Sequence, residues 1–155
     1  MSGAALAALV ARFGLVMLFL PFSALDKILG FRGATAQASD VFRPPAFAAA
    51  VVAGGLAIEI ILPLCILTGV ADRAAALAMA GYCAATALLF KRFWRPGGFW
   101  QAGASPARDL FWDFTKNLSL GAGFLLITVG PDGRGLAPFL ARPFASSHPY
   151  AGDQS

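Results

Sequence analysis

The chain has 155 residues, which is enough for one domain. Hydrophobic residues make up 58% of it and charged residues only 13%, whereas a soluble domain is about half apolar and about one quarter charged. This composition excludes an ordinary soluble protein and favours a membrane protein. The net charge of +4 does not indicate nucleic-acid binding, because the basic residues flank the apolar stretches as membrane-edge anchors do.

Four apolar stretches follow one another along the chain. A bilayer core needs about 20 helical residues to be crossed, and the sequence therefore predicts helices near residues 4–30, 46–69, 73–93 and 113–130. The fourth stretch reaches this length only if Phe114 and Lys116 are included. The stretches lack the polar alternation of a membrane β-barrel. The predicted fold is all-α, an integral membrane bundle of four antiparallel transmembrane helices.

The connections predict how the chain is arranged across the membrane. Residues 31–45 and 91–113 form long connections, whereas residues 69–73 form a tight turn that makes helices two and three neighbours. Four spans place both termini on one side, and most basic residues lie on the other side. The positive-inside rule therefore predicts external termini. We expect a transmembrane domain at residues 1–131 and a flexible, polar C-terminal tail at residues 132–155.

Two charged residues lie inside the predicted helices. Glu59 is the only charge between Ala46 and Val70, and Arg12 interrupts helix one. Both residues lie roughly 20 Å from the side of the long connections, at about 1.5 Å per helical residue. Since an isolated charge in lipid costs several kcal/mol, we predict an Arg12–Glu59 ion pair. The pair either fixes the register of the helices, or Glu59 also carries protons or contacts a polar ligand.

A second polar group is expected where helices one, three and four end on the side of the long connections. Asp26 is predicted to pair with Lys116 across the bundle, forming a mouth suited to an anionic or quinone-like head group. Tyr82 and Thr86 are one turn apart, share a helix face and could form an internal polar strip. The residues of the predicted head-group or quinone site are Asp26, Lys27, Lys116, Asn117 and Trp94.

Four motifs carry a family resemblance. Helix one ends in FSALDKILGF, helix two carries GGLAIEIILPLCILTG, helix three closes with ALLFKRFW, and helix four opens with KNLSLGAGFLLITVGP. In this order the sequence resembles the DoxX family of small four-helix bacterial membrane proteins, over roughly residues 10–131. The resemblance implies a compact bundle in the bacterial inner membrane. The family takes its name from a subunit associated with a thiosulfate:quinone oxidoreductase, and other members are linked to oxidative-stress or thiol homeostasis.

The resemblance also extends to individual residues. Many relatives carry a histidine near the end of helix three where this chain has Lys91, which argues against a metal or haem site. The polar positions that match the family are Arg12, Asp26, Lys27, Glu59, Lys116 and Asn117.

The sequence has few side chains of the types that commonly serve in catalysis or metal binding. The single histidine, His148, lies in the tail, and Cys65 and Cys83 do not form a CxxC pair. The sequence predicts no catalytic residue and no metal site. It also predicts no cofactor held by the chain's own ligands, although a quinone remains possible.

The function that we predict first is a non-catalytic accessory or anchor subunit of a respiratory or quinone-linked oxidoreductase assembly. One alternative is a stand-alone quinone-binding membrane oxidoreductase. Another is a small proton-coupled transporter that uses the buried ion pair as a gate. The expected partners are membrane lipid and a larger membrane protein complex or a second copy of the chain, and no nucleic acid.

Overall fold

The computed structural model describes residues 2–130 and 133–151, and within these ranges the chain forms helices and no strand. The predicted all-α class is therefore confirmed. In chain order the helices are α1 (Gly3–Val16), a short π-helical segment (Leu18–Ser23), α2 (Ala24–Leu29), α3 (Phe31–Ser39), α4 (Pro45–Thr68), α5 (Asp72–Phe90), α6 (Pro106–Val129) and α7 (Leu136–Ala141).

The first predicted helix is interrupted inside the π-helical segment. Leu20 has extended backbone angles, φ −120° and ψ 111°, and Pro21 follows it. A proline disfavours the α conformation in the residue before it and has no N–H group to donate. The single helix predicted at 4–30 is therefore bent. It consists of α1 and α2, joined by the π-helical segment, and covers the expected length.

Helices α4 and α5 agree with their predicted positions. Pro45 stands at the first position of α4, where a missing N–H group costs nothing. Gly69 ends the helix with a left-handed φ of 78°. Only a short turn separates Thr68 from Asp72, so α4 and α5 are antiparallel neighbours, as predicted.

Helix α3 lies inside the connection that the sequence analysis left without a helix. Its buried Ala38 packs in one cluster with Ala48 and Val52 of α4, and Phe31 and Ala34 extend this contact. The small alanines allow α3 to lie close to α4, where it covers one end of the bundle.

Helix α6 begins earlier than the predicted 113–130. Ser105 caps its first turn by accepting a hydrogen bond from the Arg108 N–H group. The helix then returns along α5, since Asp113 pairs with Lys91 near one end and Thr128 bonds the Arg73 carbonyl near the other.

Three stretches of the described chain are long and apolar enough to cross a membrane: Gly3–Leu29, Pro45–Thr68 and Asp72–Phe90. Helix α6 is as long as α4 but carries charged residues in its first half. The prediction of a fourth span therefore stays a prediction.

The core lies where α1, α4, α5 and α6 meet, and the side chains of Val16, Ile66, Met79 and Phe124 are fully buried there. Helix α6 approaches α5 closely at Gly121, where a Cβ atom would lie at ordinary contact distance, 3.4 Å, from the Ala80 carbonyl oxygen and a larger side chain would not fit.

The segment after α7 folds back onto the turn between α4 and α5. The Tyr150 hydroxyl donates to the Leu67 carbonyl, and the Pro149 ring packs against Gly69. The division into a domain at 1–131 and a flexible tail at 132–155 stays a prediction. Residues 1, 131, 132 and 152–155, on which parts of this prediction fall, lie outside the described residues.

Candidate functional site

A cavity of about 500 Å³ lies at the end of the bundle that carries the long connections. The π-helical segment and helices α2 to α6 all contribute to its wall. Phe19, Phe22 and Phe90 give the wall aromatic surface, and Val51 and Val52 give it aliphatic surface. Polar side chains from six segments converge on the same space, so the cavity combines apolar walls with a polar lining.

A charged pair lies in the wall of this cavity. The Lys27 Nζ donates hydrogen bonds to both carboxylate oxygens of Glu59, at 2.6 and 2.7 Å, and to the Ser23 hydroxyl at 2.8 Å. The Tyr82 hydroxyl donates to Glu59 Oε1 at 2.8 Å. Glu59 is only 2% exposed, so these bonds replace the water that its carboxylate lacks. We call Ser23, Lys27, Glu59 and Tyr82 the Glu59 network.

Gly55 makes room for this network. A Cβ atom at Gly55 would lie 3.1 Å from the Tyr82 hydroxyl oxygen, closer than most such contacts. The ring of Tyr82 also stands edge-on to Phe19, with centroids 6.3 Å apart. Gly55 and Phe19 therefore hold the phenol where it reaches Glu59.

Other polar side chains lining the cavity have no partner of their own. The carboxylate of Asp26 and the amides of Gln37 and Asn117 line it, and none of them forms a side-chain hydrogen bond within residues 2–130 and 133–151. Asp26 and Gln37 are exposed, whereas Asn117 is partly buried. These groups remain available to a bound molecule.

The predicted Arg12–Glu59 pair is wrong. Arg12 instead pairs with Asp72, at 2.7 Å, and donates to the Ile66 carbonyl at 2.6 Å and to the Ser147 hydroxyl at 2.9 Å. Depth compares backbone positions only, whereas the long side chain of Lys27 extends back along its helix past Ser23 to reach Glu59. We call Arg12, Asp72 and Ser147 the Arg12 cluster.

The predicted Asp26–Lys116 pair is also wrong. Asp113, one turn before Lys116 on α6, is the acid that Lys116 meets, at 3.6 Å, and Lys91 binds the same carboxylate at 3.0 Å. Because α6 begins well before residue 113, Lys116 lies within the helix, and it borders a different depression from the cavity that Asp26 lines.

Two of the predicted site residues lie outside the cavity. Lys116 borders a separate, shallow depression with Leu18 and Leu120. Trp94 packs edge-on against Phe93 and Phe114. Asp26, Lys27 and Asn117 do line the cavity, together with Glu59, Tyr82 and Thr86.

The partners of both buried charges, Asp72 and Lys27 with Tyr82, differ from those that the sequence predicts. Glu59 and Tyr82 stand at nearly equal distances in sequence from the turn at Ala71, on antiparallel neighbours, which places them at the same depth. That count could have identified Tyr82. Asp72 was treated as a turn residue, although as the first residue of α5 it is fully buried.

The Thr86 hydroxyl bonds within its own helix, as an isolated threonine hydroxyl in a helix commonly does. It donates to the carbonyl oxygens of Tyr82 and Cys83 within α5 while lining the cavity. Among the described residues, no group of three or more His, Cys, Asp or Glu side chains is arranged to hold a metal ion.

Comparison with known proteins gives one family. The sequence model of DoxX matches residues 7–92, from α1 to just past the end of α5. The matched stretch includes both buried ion pairs, Arg12–Asp72 and Lys27–Glu59, but not Asn117. No curated protein and no solved structure matches the chain.

Proposed function

Since the chain belongs to the DoxX family, we propose that it binds a quinone-type lipid in the cavity and serves as an accessory subunit of a quinone-linked oxidoreductase assembly. The observation that carries the proposal is the cavity itself, in which apolar walls surround a buried, hydrogen-bonded charge pair. This combination fits a molecule with a polar ring and an apolar chain.

The dimensions and the lining suit a quinone ring. A volume of about 500 Å³ falls within the range of about 300–1,000 Å³ that is usual for small-molecule sites. Phe19, Phe22 and Phe90 offer flat aromatic surface to a ring. Asp26, Gln37 and Asn117 are the free polar groups that would bind its oxygen substituents.

The charge of the lining favours a neutral ligand. The charged residues that line the cavity are two acids, Asp26 and Glu59, and two bases, Lys27 and Lys91. Their formal charges sum to zero, so an anionic or cationic ligand would bring an uncompensated charge into an apolar surrounding. A quinone-type ring adds no charge to the cavity.

The accessory role is supported by the surface as well as by the family. Trp94, Trp100 and Trp112 expose large rings near the start of α6, and Trp100 is 90% exposed. Tryptophan is enriched in protein interfaces and at the edges of membranes. We propose that this aromatic surface faces a larger subunit at the membrane edge.

The first experiment is purification of the tagged full-length chain from native membranes in mild detergent, with mass spectrometry of proteins and of extracted lipids. We expect a quinone-type lipid together with larger redox subunits in stoichiometric amounts. The control is the Glu59→Gln variant at equal yield, which should retain less quinone.

The alternatives give different results in the same experiment. A chain that carries quinone but no partner would be a stand-alone quinone-binding protein. A chain with neither, which supports pH-dependent flux in proteoliposomes, would be a transporter, and the proposal would be wrong.

A further inference from the structure

The charged groups around the cavity, and the hydroxyls of Tyr82 and Thr86, already donate to acceptors of the protein. All three N–H groups of the Lys27 ammonium are used, two by Glu59 and one by Ser23. The Tyr82 hydroxyl donates to Glu59, and the Thr86 hydroxyl donates to carbonyl oxygens of its own helix. A ligand that needs strong donors therefore finds none among these groups.

Lys91 likewise already binds an acceptor of the protein. Its ammonium donates to Asp113 at 3.0 Å, although part of its side chain lines the cavity. The Ser23 hydroxyl and the amides of Asn117 and Gln37 supply the remaining free donors, but each of these groups is neutral and offers an acceptor oxygen as well. Neutral amides also bind less strongly than charged groups.

The strongest free group in the cavity is an acceptor. Asp26 lines the cavity and makes neither an ion pair nor a side-chain hydrogen bond in the described part of the chain. An ionised carboxylate accepts hydrogen bonds and donates none. A hydrogen bond to it is about twice as strong as one between neutral groups.

The two redox forms of a quinone differ in whether they donate or accept hydrogen bonds. The oxidised form presents two carbonyl oxygens, which only accept, whereas the reduced quinol presents two O–H groups, which donate. An oxidised ring would bring a second acceptor against Asp26 without a proton to share, while a quinol hydroxyl supplies that proton.

From this arrangement we infer that the cavity selects the reduced, dihydroxyl form of its ligand, with the Asp26 carboxylate accepting a hydrogen bond from one hydroxyl group. The inference rests on the proposed function and gives the redox form that the same site binds. Asp26 is then the residue that determines which redox form binds. Lys27 and Glu59 form a fixed ion pair of zero net charge in the cavity wall.

The test is anaerobic titration calorimetry of the full-length chain in nanodiscs with a short-chain benzoquinone and, separately, with its quinol. A hydrogen bond to a charged group contributes about 1.5–3 kcal/mol, so we expect the quinol to bind at least about tenfold more tightly. The Asp26→Asn variant should lose this preference, because a carboxamide also donates and can accept either form.

Asp40→Asn is the matched control. Asp40 is an exposed acid at the end of α3 and does not line the cavity, so its variant should keep the wild-type preference. Equal affinity for both forms, tighter binding of the quinone, or an unchanged preference in Asp26→Asn would overturn the inference while the proposed function stands. Failure of both forms to bind would overturn the proposed function itself.

Discussion

At the scale of single residues, the Lys27–Glu59 pair joins a buried carboxylate to a partly buried ammonium. We predict that Glu59→Gln leaves the Lys27 ammonium without its counter-charge and lowers the free energy of unfolding by about 3–5 kcal/mol. The measurement is the thermal unfolding temperature of the purified variant in one detergent.

A double variant separates this effect from a loss of shape. Lys27→Gln combined with Glu59→Gln removes both charges, and we expect it to unfold at a higher temperature than Glu59→Gln alone. The half-buried Lys91–Asp113 pair is the control, since loss of a partly exposed pair changes stability by about 1 kcal/mol or less. Equal losses in the single and double variants would show that charge pairing is not the cause.

Gly55 allows a prediction about the position of the phenol. The Gly55→Ala methyl group would meet the Tyr82 hydroxyl at 3.1 Å and displace it from Glu59. We expect weaker ligand binding in Gly55→Ala and recovery of part of it in Gly55→Ala/Tyr82→Phe, because the second change removes the crowded oxygen.

The neighbouring glycine is the control for that variant. A Cβ atom at Gly54 would meet nothing within 4 Å, so Gly54→Ala changes the same helix without touching Tyr82. Both variants gain a similar helix propensity from alanine. If Gly54→Ala and Gly55→Ala bind ligand equally, the contact with Tyr82 does not matter.

For single residues, the sequence identified which charged side chains are buried but not the residues with which they pair. Arg12 and Glu59 could be recognised as buried because any charge within a long apolar run must be accommodated. Their partners could not be assigned from depth, because a long side chain such as Lys27 can reach a group well away from its own backbone.

Among the elements, α5 and α6 depend on close backbone approach at Gly121. An alanine Cβ there would still be at ordinary contact distance from Ala80 and Cys83, whereas a leucine side chain would not fit. We predict that Gly121→Ala unfolds near the wild-type temperature and that Gly121→Leu unfolds well below it.

Gly81 supplies the comparison within the same helix pair. It is exposed on α5, and a Cβ atom there meets nothing within 4 Å, so Gly81→Leu should be tolerated. A drop in unfolding temperature for Gly81→Leu as large as that for Gly121→Leu would mean that leucine is harmful in either helix regardless of contact.

Element boundaries were predictable where the sequence carries a local signal. Pro45 and Gly69 mark the two ends of α4, and the short turn after Gly69 fixes α5 beside it. The break at Leu20 was hidden by the uniform apolar run around Pro21. Helix α3 was missed because its stabilising contacts come from α4, which the local sequence does not reveal.

Across the whole molecule, the Arg12 cluster joins the first helix, the start of α5 and the C-terminal segment. Ser147 contributes its N–H group and its hydroxyl to Asp72 and accepts a hydrogen bond from Arg12. We predict that Ser147→Ala lowers the free energy of unfolding by about 1–3 kcal/mol, because hydrogen bonds to charged groups are lost.

Ser146→Ala is the control, since among the described residues the Ser146 hydroxyl makes a single, exposed hydrogen bond, which it accepts from the His148 N–H group. Thermal unfolding in detergent compares the two variants. Unfolding temperatures that match would show that the C-terminal segment does not stabilise the Arg12 cluster.

The number of membrane crossings is the second prediction at this scale. We propose four crossings, with residue 145 on the side opposite to residues 33 and 102. The measurement uses single cysteines at Gly33, Ala102 and Ala145 in a Cys65→Ala/Cys83→Ala background, labelled in intact cells by a membrane-impermeant thiol reagent. We expect labelling at residue 145 alone.

Three crossings would give a different pattern. Residue 145 would then lie on the same side as residue 102, and the three positions would be labelled together or not at all. The charged first half of α6 makes this the decisive test of the fourth crossing.

The Arg12 cluster has a consequence for biosynthesis. The ribosome adds Arg12 long before its counter-ion Asp72, and Ser147 follows Arg12 by 135 residues. The first helix therefore enters the insertion machinery with a guanidinium that has none of these partners. Its final environment is complete only after Ser147 has been made, so a contact that begins with Arg12 is closed 135 residues later in synthesis.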